Sequence, residues 1–209
     1  MLVSLAISLP AGIVSAVRRN SRADVVATLL SLLGVSMPNF FLGIMLIFIF
    51  SLSLRLLPPS GYVSPVEDLG ANLRLMIMPA ITLGAAMAAV VTRMTRSSLL
   101  EVLRQEYILT ARAKGLEERL VLRRHALRNA LIPVVTIVGL QAGHLLGGAI
   151  ITETIFALPG IGRLAVDNIF ARDFPVVQGV VLFLSLGFLV TNLVVDILYA
   201  YLDPRIRYV

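Results

Sequence analysis

Five long apolar segments, separated by shorter polar stretches, make up most of this chain. At about 1.5 Å of rise per residue, a helix of about 20 residues crosses a hydrocarbon core about 30 Å thick. The pattern therefore predicts five membrane-spanning helices inside one domain that covers residues 1–209. The predicted spans are residues 1–17, 27–54, 73–92, 131–151 and 176–202, and a long polar loop occupies residues 93–130.

Two of the polar stretches carry local structure signals of their own. Residues 55–72 contain a cluster of proline and glycine positions, which excludes a continuous helix and favours turns. Residues 163–173 read RLAVDNIFARD and place apolar side chains at helical spacing between charged ones. We therefore expect turns before the third span and a short amphipathic helix before the fifth.

The loop at residues 93–130 is strongly basic, with nine Lys/Arg residues against four acidic ones. Loops rich in Lys and Arg stay on the cytoplasmic side of a membrane. With this loop inside, 14 of the 18 Lys/Arg residues face the cytoplasm. The same alternation predicts an N-terminus outside and a C-terminus in the cytoplasm.

Composition supports a membrane protein and narrows its chemistry. Hydrophobic residues make up 58% of the chain and charged residues only 14%, against about a quarter in soluble domains. The net charge of +6 follows from topology rather than from nucleic-acid binding, because no soluble basic domain is present to carry that function. The absence of cysteine excludes disulfides, thiolate metal sites and cysteine nucleophiles.

Catalytic and cofactor motifs are missing from the sequence. The phosphate-binding pattern G-x-x-x-x-G-K-[ST] is absent, and so are H-E-x-x-H and G-x-S-x-G. The two histidines, His125 and His144, lie far apart in the sequence, and no set of metal ligands accompanies them. We therefore expect no enzymatic activity, no metal and no cofactor.

The basic loop has a helical pattern that a single glycine interrupts. Apolar positions at steps of three and four predict a helix over residues 97–114. Gly115 then marks a turn or a close backbone contact, since glycine is unfavourable inside a helix by about 1 kcal/mol relative to alanine. A second helix is predicted over residues 117–129. The purely structural interpretation of this pair is an amphipathic element on the membrane surface.

Six short motifs carry a resemblance to a known family. TARAKG at 110–115 and HALRNALIP at 125–133 resemble the cytoplasmic signature loop of binding-protein-dependent ABC transporter permeases. The dipeptide, oligopeptide and nickel branch is the most similar, and within it the first of the two permease subunits. The other matching motifs are SMPNFFLG at 36–43, LPPSG at 57–61, ARDFPVVQG at 171–179 and NLVVDILYAYLDPRIRY at 192–208.

The resemblance implies the transmembrane domain of an ABC type I importer, an all-α integral membrane fold with five spanning helices and a cytoplasmic coupling helix pair. In that family the helix around the glycine sits in a groove on a cytoplasmic ATPase subunit, which implies the same for residues 111–120. Tyr107 and Leu116 would be apolar anchors, and charged neighbours would set the polar register. The implied coupling residues are Tyr107, Ala111, Arg112, Lys114, Gly115, Leu116 and Glu117.

Several partners follow from the resemblance. They are a homologous second permease, two cytoplasmic ATPase subunits that hydrolyse the ATP, an extracytoplasmic substrate-binding protein and the lipid bilayer, with no nucleic acid. The implied function is ATP-driven import of di- or oligopeptides or similar small solutes across the cytoplasmic (inner) membrane of a bacterium or archaeon. A non-transporting membrane scaffold with a basic loop is the alternative from another class.

The chain departs from the family pattern at two places. Family members begin with a further transmembrane helix, and this chain starts inside what would be their second, so an inactive truncated permease is another alternative. The general permease loop has Glu-Ala-Ala before the glycine. Here those positions are Leu109, Thr110 and Ala111, so only Ala111 and Gly115 match the general pattern.

Polar residues inside the predicted spans are candidates for the transport path. Gln141 and His144 share one helix face, as do Asn192 and Asp196, and a charge at mid-membrane costs at least about 2.5–3.5 kcal/mol. Each pair either forms hydrogen bonds between helices or lines a path, and His144 is either a bundle histidine or a substrate contact. Glu153, just past a span, is expected near an outer gate or paired with Arg163 or Arg172.

Overall fold

The computed structural model describes the backbone of residues 1–202, with the side chains at 144, 146–148, 196 and 198–202 outside the description. All regular structure in this part of the chain is helical. The α-helices are α1 (Leu2–Val17), α2 (Arg22–Ser36), α3 (Asn39–Leu46), α4 (Leu69–Val102), α5 (Glu106–Ala113), α6 (Glu118–Leu120), α7 (Leu127–Gly148), α8 (Ile150–Ile155), α9 (Ile161–Ala171) and α10 (Phe174–Leu202). Two π-helical segments, Ile47–Ser53 and Val121–Ala126, continue α3 and join α6 to α7.

Length and hydropathy identify the helices that are able to cross a membrane. Within the described residues, three stretches qualify alone: Leu69–Val102, Glu118–Gly143 and Phe174–Val195. The pair Arg22–Ser36 and Asn39–Ser53 qualifies together, and Leu2–Val17 is a shorter apolar helix. The prediction of an all-α integral membrane protein is confirmed, whereas the division into five spans stays a prediction.

The segment predicted as one span over residues 27–54 consists of two helices bent by 105°. α2 ends at Ser36, and Met37 is extended with φ −86° and ψ 119°. The cause is Pro38, because the proline ring disfavours the α conformation in the residue before it. Pro38 then serves as the N-cap of α3.

α4 is the central helix of the bundle. It contacts α1, α2, α3, α7 and α8, and its small residues allow two of these neighbours to approach closely. A Cβ atom added at Gly12 of α1 would lie 2.6 Å from Thr95 Cβ, and one at Gly34 of α2 would lie 2.9 Å from Ala89 Cβ. α4 has 34 residues and is about 51 Å long, so it extends well beyond a hydrocarbon core.

At the end of the bundle far from the basic loop, a buried aromatic ring joins several elements. Phe156 follows α8, is 1% exposed and packs near Gly43 and Thr82. Its carbonyl accepts a 2.9 Å hydrogen bond from the Gly61 amide, which ties the proline-rich loop to this end. The helix predicted before the last span is present as α9, which buries Gly162 and Ala165. Its apolar Leu164, Ile169 and Phe170 are exposed.

The single helix predicted over residues 97–114 is wrong. α4 continues to Val102, residues 103–105 form a turn, and α5 starts at Glu106 after the extended residue Gln105. The change of direction lets Leu99 of α4 and Ile108 of α5, both 0% exposed, enter the same apolar cluster. The second predicted helix, residues 117–129, is part of the longer helical run that continues into α7.

Candidate functional site

The basic loop presents an unbroken exposed surface above a buried base. Every residue from 112 to 120 is exposed, whereas Ile108 is 0% and Ala111 only 7% exposed. Ile108 and Ala111 are three residues apart and therefore lie on one face of α5. We call residues 106–120 the coupling segment. It is held by that one face and leaves its remaining surface accessible.

The base beneath the coupling segment is an apolar cluster built from several helix ends. Its buried members are Ala16, Leu99, Ile108, Ala111, Val121, Ala126 and Ala130. They come from α1, α4, α5, the second π segment and α7. Full burial of an isoleucine side chain contributes about 1.5–3 kcal/mol, so α5 is firmly attached to the ends of three long helices.

Gly115 is required by the backbone conformation of the coupling segment. Its φ is +76°, a region that residues with a Cβ adopt at a cost. The Leu116 amide donates to the Ala111 carbonyl at 3.4 Å and the Gly115 amide donates to the Arg112 carbonyl at 2.9 Å. This pair of bonds is the Schellman motif that ends α5. Nothing lies within 4 Å of a Cβ built at Gly115, so of the two predicted roles the turn is confirmed.

An ion pair spans the glycine turn. Arg112 Nε donates to Glu118 Oε2 at 3.0 Å, and Arg112 Nη2 donates to Glu118 Oε1. This bond lowers the pKa of Glu118 and raises that of Arg112. The side chains are 37% and 64% exposed, so the pair fixes the shape of the turn more than it stabilises the protein.

Tyr107 connects the coupling segment to the start of α7. Its hydroxyl oxygen accepts a 2.8 Å hydrogen bond from Asn129 Nδ2 and donates to the His125 carbonyl at 3.5 Å. The His125 carbonyl lies in the π-helical segment and also accepts from Asn129 Nδ2 at 3.3 Å. The ring is 42% exposed, so one edge remains accessible, and its role as an apolar anchor stays a prediction.

The exposed face of the coupling segment combines apolar and cationic side chains. Leu109, Leu116 and Leu120 are 55%, 37% and 40% exposed. The exposed cations Arg112, Lys114 and Arg119 lie between them in the sequence. Glu117, also exposed, is the N-cap residue of α6. Exposed apolar side chains interspersed with charged ones are typical of a surface that binds another protein.

Of the predicted polar residues of the spans, Asn192 lies where α7 and α10 meet. A Cβ at Gly139 would lie 2.5 Å from Val195 Cγ1, and one at Gly143 would lie 2.9 Å from Phe188 Cε2 and 3.6 Å from Asn192 Oδ1. Asn192 therefore reaches the α7 surface. Gln141 Nε2 is buried and has no hydrogen-bond partner among the described residues. The side chains of the other two candidates, His144 and Asp196, lie outside the described part of the structure.

Glu153 binds the start of α9 instead of a cation. Its Oε2 accepts a 2.9 Å hydrogen bond from the Arg163 amide, while the Arg163 side chain pairs with Asp167 at 3.6 Å. Gly160 and Gly162 make room, because a Cβ at either position would meet the Glu153 carboxylate. The predicted ion pairs of Glu153 with Arg163 or Arg172 are absent from the salt bridges of the described residues. Its placement near an outer gate stays a prediction.

One functional candidate escaped the sequence analysis. Asp24, 4% exposed, accepts hydrogen bonds from Arg96 Nε at 2.7 Å, Arg96 Nη2 at 2.9 Å, Ser15 Oγ at 2.5 Å and the Asn20 amide at 2.9 Å. The carboxylate thereby joins α1, α2 and α4 next to the apolar cluster. The available signal was a lone acid in the first turn of an otherwise apolar helix, since such a charge needs a partner.

No metal site is visible in the part of the chain with described side chains. No three His, Cys, Asp or Glu side chains there lie close enough to hold an ion.

The fold is that of an all-helical membrane protein with an exposed basic segment, in agreement with the motif resemblance. Residues 8–208 match the family described as "Binding-protein-dependent transport system inner membrane component", and the chain belongs to that family. A solved structure, inward facing conformations of the MetNI methionine ABC transporter, superposes with a TM-score of 0.75 at 18% identity. It covers 97% of this chain and 88% of the other, which shows the shared fold.

Curated relatives place the chain in the peptide-transport branch that its motifs predicted. It is 51% identical over 197 residues to the glutathione transport system permease protein GsiC of Pectobacterium atrosepticum, covering 94% of this chain and 62% of that protein. It is 46% identical over 231 residues to the dipeptide transport system permease protein DppB of Escherichia coli, covering 100% and 68%. The chain thus spans about two thirds of the length of these relatives.

Proposed function

We propose that this chain is the membrane-spanning permease subunit of an ATP-driven importer for dipeptides or similar small peptides such as glutathione. Its family and the names of its relatives support this assignment. The observation that carries the mechanism is the coupling segment, which is exposed along residues 112–120 and anchored through Ile108 and Ala111 to three helix ends.

The mechanism follows from that attachment. An ATPase subunit grips the exposed Leu109, Leu116 and Leu120, while Arg112, Lys114 and Glu117 set the register of docking. Because the Schellman turn and the apolar cluster hold the segment as one rigid body, closure of two ATPases on ATP binding tilts α4 and α7 together. The bundle then alternates between inward and outward access, and ATP hydrolysis itself takes place in those separate subunits.

The proposed orientation in the membrane is the one that the distribution of Lys and Arg residues predicts. The basic loop lies in the cytoplasm, where the ATPases are, with the N-terminus outside and the C-terminus inside. A homologous second permease completes the path, and an extracytoplasmic binding protein delivers the substrate. Gln141, His144, Asn192 and Asp196 belong to the α7–α10 contact or to the path, and Glu153 supports the outer end.

A matched pair of glycine substitutions tests the proposal. Gly115 and Gly179 both have open space where a Cβ would stand, but only Gly115 has a positive φ, +76°. In the complete transport system, Gly115→Val is expected to abolish co-purification of the ATPases and dipeptide uptake, while membrane insertion persists. Gly179→Val is expected to leave all three unchanged. Normal ATPase assembly and uptake in Gly115→Val would contradict the proposed role of the segment.

A further inference from the structure

A groove beside the central helix has no role in the proposed function. It lies between α2, α4 and α7, near the ends of these helices that adjoin the basic loop. Its volume is about 480 Å³. The lining residues are Thr28 and Val35 of α2, Val90, Arg93, Met94, Arg96 and Ser97 of α4, and Ile137 of α7. We call it the basic groove.

The basic groove changes from polar to apolar along the direction of the helices. Arg93 and Ser97 lie toward the basic end of α4, and Val90 lies about one turn farther from that end. On α2 the order is the same, with Thr28 nearer to the basic end and Val35 about two turns beyond it. An occupant that fits this order has a negatively charged head and an apolar tail.

The cationic end of the groove is organised before any ligand arrives. Arg93 and Arg96 are three residues apart and share a face of α4. Asp24 fixes the Arg96 guanidinium through Nε at 2.7 Å and Nη2 at 2.9 Å and also neutralises its charge. Arg93 is exposed and forms no salt bridge within the described residues. The groove therefore carries one uncompensated positive charge beside an oriented guanidinium.

We propose that the basic groove binds one anionic glycerophospholipid of the adjoining membrane leaflet. The phosphodiester, with one negative charge, pairs with the one uncompensated charge, that of Arg93, and the guanidinium geometry suits a phosphate. An acyl chain lies along Val90, Val35 and Ile137, where apolar walls continue toward the bilayer centre. Basic recesses between transmembrane helices on the cytoplasmic side are favourable places for anionic headgroups.

The chemistry of the walls favours a lipid over other anions. A free phosphate or a small carboxylate would pair with Arg93. It would leave the apolar end of the groove unoccupied. The proposal shares with the proposed function only the placement of the basic helix ends at the membrane surface, so either is able to fail alone.

Native mass spectrometry of the full chain tests the proposal. The protein is reconstituted in bilayers of equal parts dioleoyl-phosphatidylglycerol and dioleoyl-phosphatidylcholine, and the lipids that remain bound after release into mild detergent are counted. The wild type is expected to retain one phosphatidylglycerol per chain. Arg93→Gln is expected to lower the ratio of retained phosphatidylglycerol to phosphatidylcholine about tenfold, since a hydrogen bond between charged groups is lost.

The control is Arg104→Gln, which removes the same charge from an exposed site just past the end of α4 and outside the groove. It is expected to retain phosphatidylglycerol like the wild type, and Arg93→Lys is expected to retain an intermediate amount. Equal retention of both lipids by the wild type, or no difference between Arg93→Gln and Arg104→Gln, overturns the proposal. Displacement of the lipid by inorganic phosphate would identify a soluble-anion site, and loss of the lipid on assembly with a second permease would identify a subunit interface. Either result also overturns it.

Discussion

At the basic end of the bundle a buried carboxylate joins three helices, whereas at the opposite end a buried aromatic ring does so. Asp24 and Phe156 are 4% and 1% exposed, so both are interior groups. Asp24 receives several directional hydrogen bonds from α1, α4 and the loop between α1 and α2. Phe156 fills space near Gly43 and Thr82 and is fixed mainly through its backbone carbonyl.

The difference shows which kind of interaction determines the helix arrangement at each end of the bundle. Charge-assisted hydrogen bonds are directional, so they set the angle between helices, whereas apolar packing depends on volume and tolerates changes of shape. The directional end is the one that carries the coupling segment. In the proposed mechanism the coupling segment transmits a push, which needs a fixed angle between helices at this end, whereas a filled volume is sufficient at the other end.

Asp24→Asn has the largest expected effect, because it keeps the shape of the side chain but leaves Arg96 without a counter-charge. We expect a loss of about 3–5 kcal/mol, because a partly buried charge is then uncompensated. Unfolding of the purified protein in detergent, followed against a denaturing surfactant or temperature, measures this loss. The control is Asp167→Asn in the exposed pair with Arg163, for which we expect less than about 1 kcal/mol. Equal losses of stability for the two substitutions would show that the buried Asp24–Arg96 pair stabilises the protein no more than an exposed ion pair does.

A substitution of Phe156 tests the opposite end of the bundle. Phe156→Leu keeps most of the apolar volume, so we expect a loss of no more than about 1.5 kcal/mol, since volume-conserving changes in cores are tolerated. The same unfolding measurement applies, with Phe170→Leu at an 82% exposed position as the control, expected near zero. A loss at Phe156 as large as that of Asp24→Asn would mean that this end is also specified by detailed geometry.

The smallest expected effect concerns pH and the turn of the coupling segment. Arg112 holds the pKa of Glu118 below its ordinary value of 4.5. The ion pair therefore stabilises the folded turn above about pH 4.5, and this contribution is lost as the pH falls through the lower pKa of the folded state. Exposure to solvent keeps the contribution below about 1 kcal/mol. NMR titration of the Glu118 carboxyl in wild type and in Arg112→Gln measures it, and an unchanged pKa in the variant would refute the pairing.

Much of the fold was predictable because its signals are local. The apolar segments, the proline-rich loop at residues 55–72 and the helix α9 all follow from periodicity and composition within short windows. The 105° bend at Pro38 was missed, because the apolar run continues across it. Gly115 was also recognisable, since a lone glycine between two helical patterns indicates a turn. The break at residues 103–105 was not, because it contains neither glycine nor proline and continues an apolar spacing that suits one long helix.

The contacts that build the site were less predictable because they join distant parts of the chain. Asp24 and Arg96 are 72 residues apart, and Tyr107 and Asn129 are 22 apart. No spacing rule in one sequence pairs such residues. Glu153 was recognised as a polar residue that needs a partner, and a cationic side chain was expected. Its partner is a backbone amide, and the sequence does not show which amide lies nearby.

The π-helical segment at Val121–Ala126 has a consequence for comparing this chain with its relatives. A π turn accommodates one more residue than the α-helical turn that it replaces, and each residue of an α-helix turns by about 100°. A helical wheel drawn straight from Glu118 into α7 therefore assigns every position after 126 to a face about 100° away from its true one. A relative that lacks one residue within 121–126 is able to keep the rest of α7 in place, because the deletion converts the π turn into an α-helical turn. A gap elsewhere in α7 rotates the side chains that follow it onto another face of the helix.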